Sequence, residues 1–93
     1  MSFGPWIRVQ REKAGLGLNE MARKLGISPA YWSRIERGRE KAPKDELIMA
    51  ACKMLSLDTD RAFLEAKRMP PDMQRDLATA ITVYRTFKDR ARR

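Results

Sequence analysis

Proline and glycine divide this chain into short pieces, and that punctuation constrains its fold more than any other feature. Pro5, Pro29, Pro43, Pro70 and Pro71 stand where helices can begin, and Gly15, Gly26 and Gly38 stand where they can end. Between these marks, apolar residues return every three or four positions. β-Branched residues are few and strict alternation is absent, so strands are not expected. The chain reads as all-α: five short helices, a proline junction, and one long helix.

The first segment runs from Pro5 to Ala14 and stops at Gly15. Phe3, Trp6, Ile7, Gln10 and Ala14 share one face, apolar except for Gln10. The second spans about Leu18 to Leu25 and closes at Gly26. The third, Pro29 to Arg37, closes at Gly38; Ser28 suits its N-cap and Pro29 its first turn. The fourth, from about Lys44 to Leu55, carries Leu47, Ile48, Ala51, Met54 and Leu55 as a helical stripe. The fifth, from about Thr59 to Arg68, takes Asp58 or Thr59 as its cap and turns Ala62, Phe63 and Ala66 inward. Met69, Pro70, Pro71 and Asp72 then break the chain before the sixth and longest segment, Pro71 to about Arg90. Residues 1–68 are expected to form one unit and residues 69–93 an appended helix.

The 93 residues can bury only a modest core, so stability should be limited. Charge narrows the choice of partner. Twenty basic residues against 12 acidic ones leave a net +8, which points to a polyanion, most often nucleic acid. The excess is uneven: residues 1–44 carry a net +6, residues 45–84 a net −2, and residues 85–93 a net +4. A basic front beside a nearly neutral middle suggests one binding face. Cys52 is the only cysteine and histidine is absent. No disulfide forms within one chain, no zinc set can be assembled, and a histidine-based triad is excluded. No paired carboxylates mark a cleft, so an enzyme is not expected, and no cofactor. The first residues lack the basic start and apolar run of a signal peptide, and no apolar run approaches a membrane span. The expectation is a cytoplasmic chain with no membrane partner.

The second and third segments are joined only by Gly26 and Ile27, so two short helices must cross steeply. Ala22 is small where they approach, Gly26 can take the positive φ of the turn, and Ile27, Trp32 and Ile35 plug the interior behind it. An ordinary αα-hairpin could show Ala and Gly at this spacing too. Trp32 and Ile35 lie three apart on one helix face, expected against Ile7, Met21, Ala22 and Leu25. Ala30, Ser33, Arg34 and Arg37 lie on the other.

The stretch GISPAYWSRIERG (residues 26–38) resembles the recognition-helix segment of the Cro and phage-repressor type of helix-turn-helix regulators, also called xenobiotic-response-element-like regulators. The likeness extends to IRVQREKAGL before it and APKDELIMAACKMLSLDTD after it, roughly residues 5–68. It implies a five-helix domain that lays the helix 29–37 in the major groove of double-stranded DNA. Pro29, Ala30, Ser33 and Arg34 would then meet base edges. Arg34 is the strongest candidate, because a guanidinium can bond both acceptors of guanine; a phosphate contact or a solvated charge is the alternative. Tyr31 resembles the aromatic that packs at the helix edge and offers its hydroxyl to phosphate. Arg37, Arg39, Lys41 and Lys44 look like backbone clamps, with Ser28 beside them. Gly17, Leu18 and Asn19 begin a helix whose amides can hold a phosphate. Where the family often has glutamine, this chain has Leu18, so Asn19 would have to supply any side-chain contact. The resemblance also sets Arg11 opposite Glu36, as an ion pair between the first and third helices. Trp32 stands where leucine is usual.

In the sixth segment Met73, Leu77, Ala80, Tyr84 and Phe87 follow a four-three spacing, broadened by Ile81 and Val83. Two heptads do not prove a coiled coil. The expectation is a homodimer interface; the alternative is docking onto the first, fourth and fifth helices. By the family's habit the protein would be a prokaryotic or phage repressor, binding an inverted-repeat operator as a dimer. The rival reading is an antitoxin-like regulator whose last helix binds a different protein.

Overall fold

The computed structural model describes residues 2–74 and 77–91, with side chains described through Gln74 and again from Ile81 to Lys88. Seven helices make up its regular structure: α1 (Phe3–Lys13), α2 (Leu18–Leu25), α3 (Pro29–Glu36), α4 (Asp45–Leu55), α5 (Thr59–Glu65), α6 (Pro71–Gln74) and α7 (Leu77–Ala91). No strand occurs among the described residues. The all-α expectation holds.

Several boundaries differ from those expected. α1 starts at Phe3, two residues ahead of Pro5, and Trp6 N–H bonds to Ser2 O at 3.1 Å. Pro5 falls in the first turn, where an N–H would lack a helical partner anyway. Phe3, Trp6 and Ile7 are buried and Gln10 half-buried, but Ala14 is exposed because it is already the C-cap. α5 stops at Glu65 instead of continuing to Arg68. Lys67 takes a left-handed backbone (φ 58°), and Arg68 N–H returns to Phe63 O at 2.9 Å while Lys67 N–H bonds to Leu64 O at 3.0 Å. That is a Schellman closure built without glycine. The long segment expected from 71 to 90 is helical at 71–74 and 77–91; residues 75 and 76 lie outside the described part.

The turn between α2 and α3 follows the expected chemistry. Gly26 has φ 75°, and Ile27 N–H bonds to Ala22 O at 3.0 Å, so the chain reverses in two residues. Ser28 Oγ accepts from Tyr31 N–H at 3.1 Å, which caps α3. Trp32 and Ile35 then drop into the interior with Ile7, Met21, Ala22, Ile48, Ala51 and Phe63, while Leu25 and Ile27 pack at its edge. α1 packs on α3 and α5, α2 on α3 and α4, and α4 on α5. Each fully buried large apolar side chain stabilises this core by about 1.5–3 kcal/mol. The indole Nε1 of Trp32 is buried without a hydrogen-bond partner among the described residues.

Two contacts lock α1 to α3. Gly4 is buried so tightly against the end of α3 that a Cβ there would lie 2.0 Å from Ile35 O. Only a residue without a side chain lets the backbones approach this closely. Nearby, the expected Arg11–Glu36 pair is present and bidentate: Arg11 Nε donates to Glu36 Oε2 at 2.8 Å, and Nη2 to Oε1 at 2.9 Å. Arg11 Nη1 also donates to Leu16 O at 2.8 Å. Both residues are buried, so the pair is shielded from water, and each of the three guanidinium nitrogens donates a hydrogen bond.

Candidate nucleic-acid interface

α3 divides its residues between two environments. Trp32, Ile35 and Glu36 are buried; Pro29, Ala30, Arg34 and Arg37 are exposed, and Tyr31 and Ser33 half-buried. The burial of Trp32 and Ile35 one turn apart turns the opposite side of the helix outward. The four residues expected to read base edges are thus accessible together on one element. The oxygen of Ser28 is engaged in its cap, which leaves the hydroxyl proton free to donate.

Other elements bring further expected residues to this surface. A cleft of about 210 Å³ is lined by Arg8, Arg11, Leu18, Ser33, Glu36 and Arg37, so the start of α2 and the outer side of α3 face a common space. No side chain caps α2 at Gly17, so the amides of its first turn are available to an anion. Leu18 is half-buried against the core and offers no polar contact, while Asn19 is exposed beside it. Arg8 was missed by the sequence reading. It stands on α1 one turn before Arg11, pairs with Glu12 at 2.7 Å, and keeps a half-exposed guanidinium at the cleft. Its signal was the basic i, i+3 spacing of Arg8 and Arg11.

After α3 the chain carries Arg37, Arg39, Lys41 and Lys44, all exposed. The loop is tied from outside the helix-turn-helix. Arg68 Nη2 donates to Ala42 O at 2.5 Å, Nη1 donates to Pro43 O, and Nη1 reaches Asp45 Oδ1 at 3.4 Å. Arg37 Nε lies 3.3 Å from Ser33 O. Arg34 is held as well: its Nε bonds Glu40 Oε1 at 3.0 Å, and its Cζ lies 5.9 Å from the centre of the Tyr31 ring. Nothing in the sequence pairs Arg34 with Glu40: they lie six positions apart, and no helical spacing predicts the contact.

Below this surface, the hydrogen bonds to Glu36 raise the pKa of Arg11 against the opposing effect of burial. The guanidinium therefore stays charged and is consumed by structure, not by a ligand. Burial pushes the Cys52 thiol up, so it stays protonated in the core. Among the described residues no cluster of His, Cys, Asp or Glu could hold a metal ion, and no helix is long and apolar enough to cross a membrane.

The expected self-association residues lie on α6 and α7. Ile81, Val83, Tyr84 and Phe87 on α7 are 40–64% exposed, and Met73 on α6 is half-buried. The side chains of Leu77 and Ala80 lie outside the described residues. The radius of gyration is 14.4 Å, where a globular chain of this length would give about 12 Å.

Comparison with known proteins finds the same fold among helix-turn-helix regulators. A family model described as a helix-turn-helix domain matches residues 3–64. An uncharacterised helix-turn-helix-type transcriptional regulator of Mycobacterium tuberculosis is 28% identical over 87 residues, covering 94% of this chain and 61% of its own length. The helix-turn-helix-type transcriptional repressor RghR of Bacillus subtilis is 34% identical over 65 residues, covering 70% of this chain and 48% of RghR. The chain thus spans about half to three-fifths of the curated relatives it matches. Among solved structures, the clp gene regulator ClgR from Corynebacterium glutamicum superposes with a TM-score of 0.60 at 32% identity, over 70% of this chain and 83% of that one. The SinR/SinI protein complex matches with a TM-score of 0.62 at 23% identity over 97% of this chain and 94% of that one, a likeness of fold. Both curated relatives are described as transcriptional regulators of the helix-turn-helix type.

Proposed function

The chain belongs to the helix-turn-helix domain family, and on that premise we propose that it is a DNA-binding transcriptional regulator of the Cro and phage-repressor type, acting as a dimeric repressor. α3 enters the major groove. Pro29, Ala30, Ser33 and Arg34 face base edges, with Arg34 addressing a guanine. Arg37, Arg39, Lys41, Lys44, Tyr31, Ser28 and the start of α2 at Gly17, Leu18 and Asn19 hold phosphates on either side. The single observation that carries this reading is the division of α3: Trp32 and Ile35 are fully buried while Ala30 and Arg34 are exposed on the same two turns. Residues 1–68 serve as the DNA-binding unit, a reading supported by the buried apolar core, which among the described residues falls within it. Residues 69–93 serve for self-association, through the apolar side of α7.

Selection from a randomised pool of duplex DNA tests the reading. The intact protein should enrich an inverted repeat. Arg34→Ala should cost about 1–3 kcal/mol of specific affinity and relax the preference at one base pair in each half-site. An unchanged base preference in that variant would overturn the assignment of Arg34. Enrichment of no sequence at all would overturn the function.

A further inference from the structure

We propose that Glu40 is a positioning residue for sequence readout: it orients Arg34 so that the outer edge of the guanidinium is presented to DNA. The proposal rests on the reading that Arg34 addresses a base. Glu40 follows α3 in the loop that begins at Gly38. There Arg39 N–H returns to Arg34 O at 2.9 Å, so the chain doubles back along the last turn of α3. That reversal brings the Glu40 carboxylate to Arg34 Nε at 3.0 Å, on the side of the guanidinium nearest its own stem. The Tyr31 ring stands on another side, 5.9 Å from Cζ. An unrestrained arginine samples many rotamers and must give that freedom up on binding. One held through Nε is already ordered, and its two Nη groups remain for the pair of acceptors that guanine shows in the major groove.

Stability does not account for the contact. The side chains of Arg34 and Glu40 are 44% and 39% exposed, and ion pairs open to water to this degree add little to folding. A carboxylate is also an unfavourable group beside phosphates, so its presence on a basic face calls for a compensating gain. Orientation of the reading arginine supplies one.

The test compares Glu40→Gln, Glu40→Asp, Arg34→Ala and the double variant Arg34→Ala with Glu40→Gln. Each is measured by selection from randomised duplex DNA, by salt titration on random duplex, and by thermal unfolding. Glu40→Gln should keep the wild-type melting midpoint and bind random duplex at least as tightly, because a negative charge has left the face. Its preference at the base pair governed by Arg34 should fall by roughly fivefold or more. Glu40→Asp, which keeps the charge but shortens the reach, should lose part of that preference. In the Arg34→Ala background, Glu40→Gln should change nothing further at that base pair. If Arg34→Ala loses the preference while Glu40→Gln keeps or sharpens it, the proposal is overturned and the reading of Arg34 survives. If Arg34→Ala keeps it, the reading beneath the proposal has failed. A large drop in the melting midpoint of Glu40→Gln would show a structural role and would also overturn it.

Discussion

At the residue scale, the buried polar groups of this protein are used to align helices. Arg11 and Glu36 lie 25 positions apart in sequence and meet through two hydrogen bonds under 3 Å. Removing the carboxylate leaves a buried guanidinium with a single hydrogen bond, to Leu16 O, and the more distant charge of Glu12. Glu36→Ala is expected to lower stability by about 3–5 kcal/mol, whereas replacing both residues by apolar ones of similar volume should recover much of that loss. Urea unfolding followed by tryptophan fluorescence checks both, since Trp6 and Trp32 are buried. Cys52 gives the pH response. Its pKa is raised by burial and by nearby Asp58, so the native state favours the neutral thiol. Because the folded value lies above the unfolded one, this contribution to stability is complete below the ordinary thiol pKa and is lost as pH rises through the folded one. Unfolding free energy should therefore fall as pH rises above the ordinary thiol value of about 8.5. A Cys52→Ala variant, compared across the same range, should lack that part of the fall; an identical slope in both proteins would contradict it.

At the element scale, the five helices of the core end alike: each is followed by a residue with positive φ, at Gly15, Gly26, Gly38, Ser56 and Lys67. Three are glycines and were legible as stops. Ser56 and Lys67 adopt the same backbone with a side chain attached, at some cost in strain. At Lys67 the closure places Arg68 against the loop between α3 and α4, where it bonds the carbonyls of Ala42 and Pro43. That loop carries Arg39, Lys41 and Lys44. Arg68→Ala should lose about 1.5–3 kcal/mol of stability, the worth of hydrogen bonds from a charged donor. Amide exchange should speed up in residues 39–44, with affinity falling about equally on all DNA sequences. A change in base preference instead would mean that Arg68 influences α3 itself.

At the scale of the whole molecule, the fully buried apolar side chains among the described residues all precede residue 64, and α7 keeps large apolar side chains in water. Under the proposed function one reading helix would contact only a few base pairs, and a second copy would supply the specificity a monomer lacks. Two copies about a two-fold axis would set their α3 helices about 34–36 Å apart along the duplex. Residues 45–84 carry a net charge of only −2, so pairing there meets little repulsion. Removal of residues 70–93 should leave a folded monomer with weak, salt-sensitive DNA binding. Leu77→Asp combined with Tyr84→Asp should do the same at full length. Sedimentation at micromolar concentration decides it: a monomeric intact protein counts against α7 as the interface, and a truncated protein that stays dimeric moves the interface to α5.

The sequence by itself determined the local structure and its division into faces. Punctuation by Gly26, Ser28 and Pro29 sets the turn and the start of α3, because φ preferences and capping act within a few residues. Periodicity assigned Trp32 and Ile35 to the inside and Arg34 to the outside, since a helix repeats its faces at a fixed angle. The Arg11–Glu36 pair was reached through resemblance and not through spacing. Tertiary structure alone decided three things. Gly4 is required by the carbonyl of Ile35, a residue 31 positions away. Arg68 leaves the helix it was expected to extend, and its guanidinium bonds the carbonyls of Ala42 and Pro43 on a loop about 25 positions away. Glu40 reaches Arg34 only after the chain reverses at Gly38. For Gly4 and Arg68 the deciding partner lies beyond the range over which backbone preferences act and becomes a neighbour only when the helices pack; for Glu40 the reversal at Gly38 closes a gap of six positions that no helical spacing would bridge.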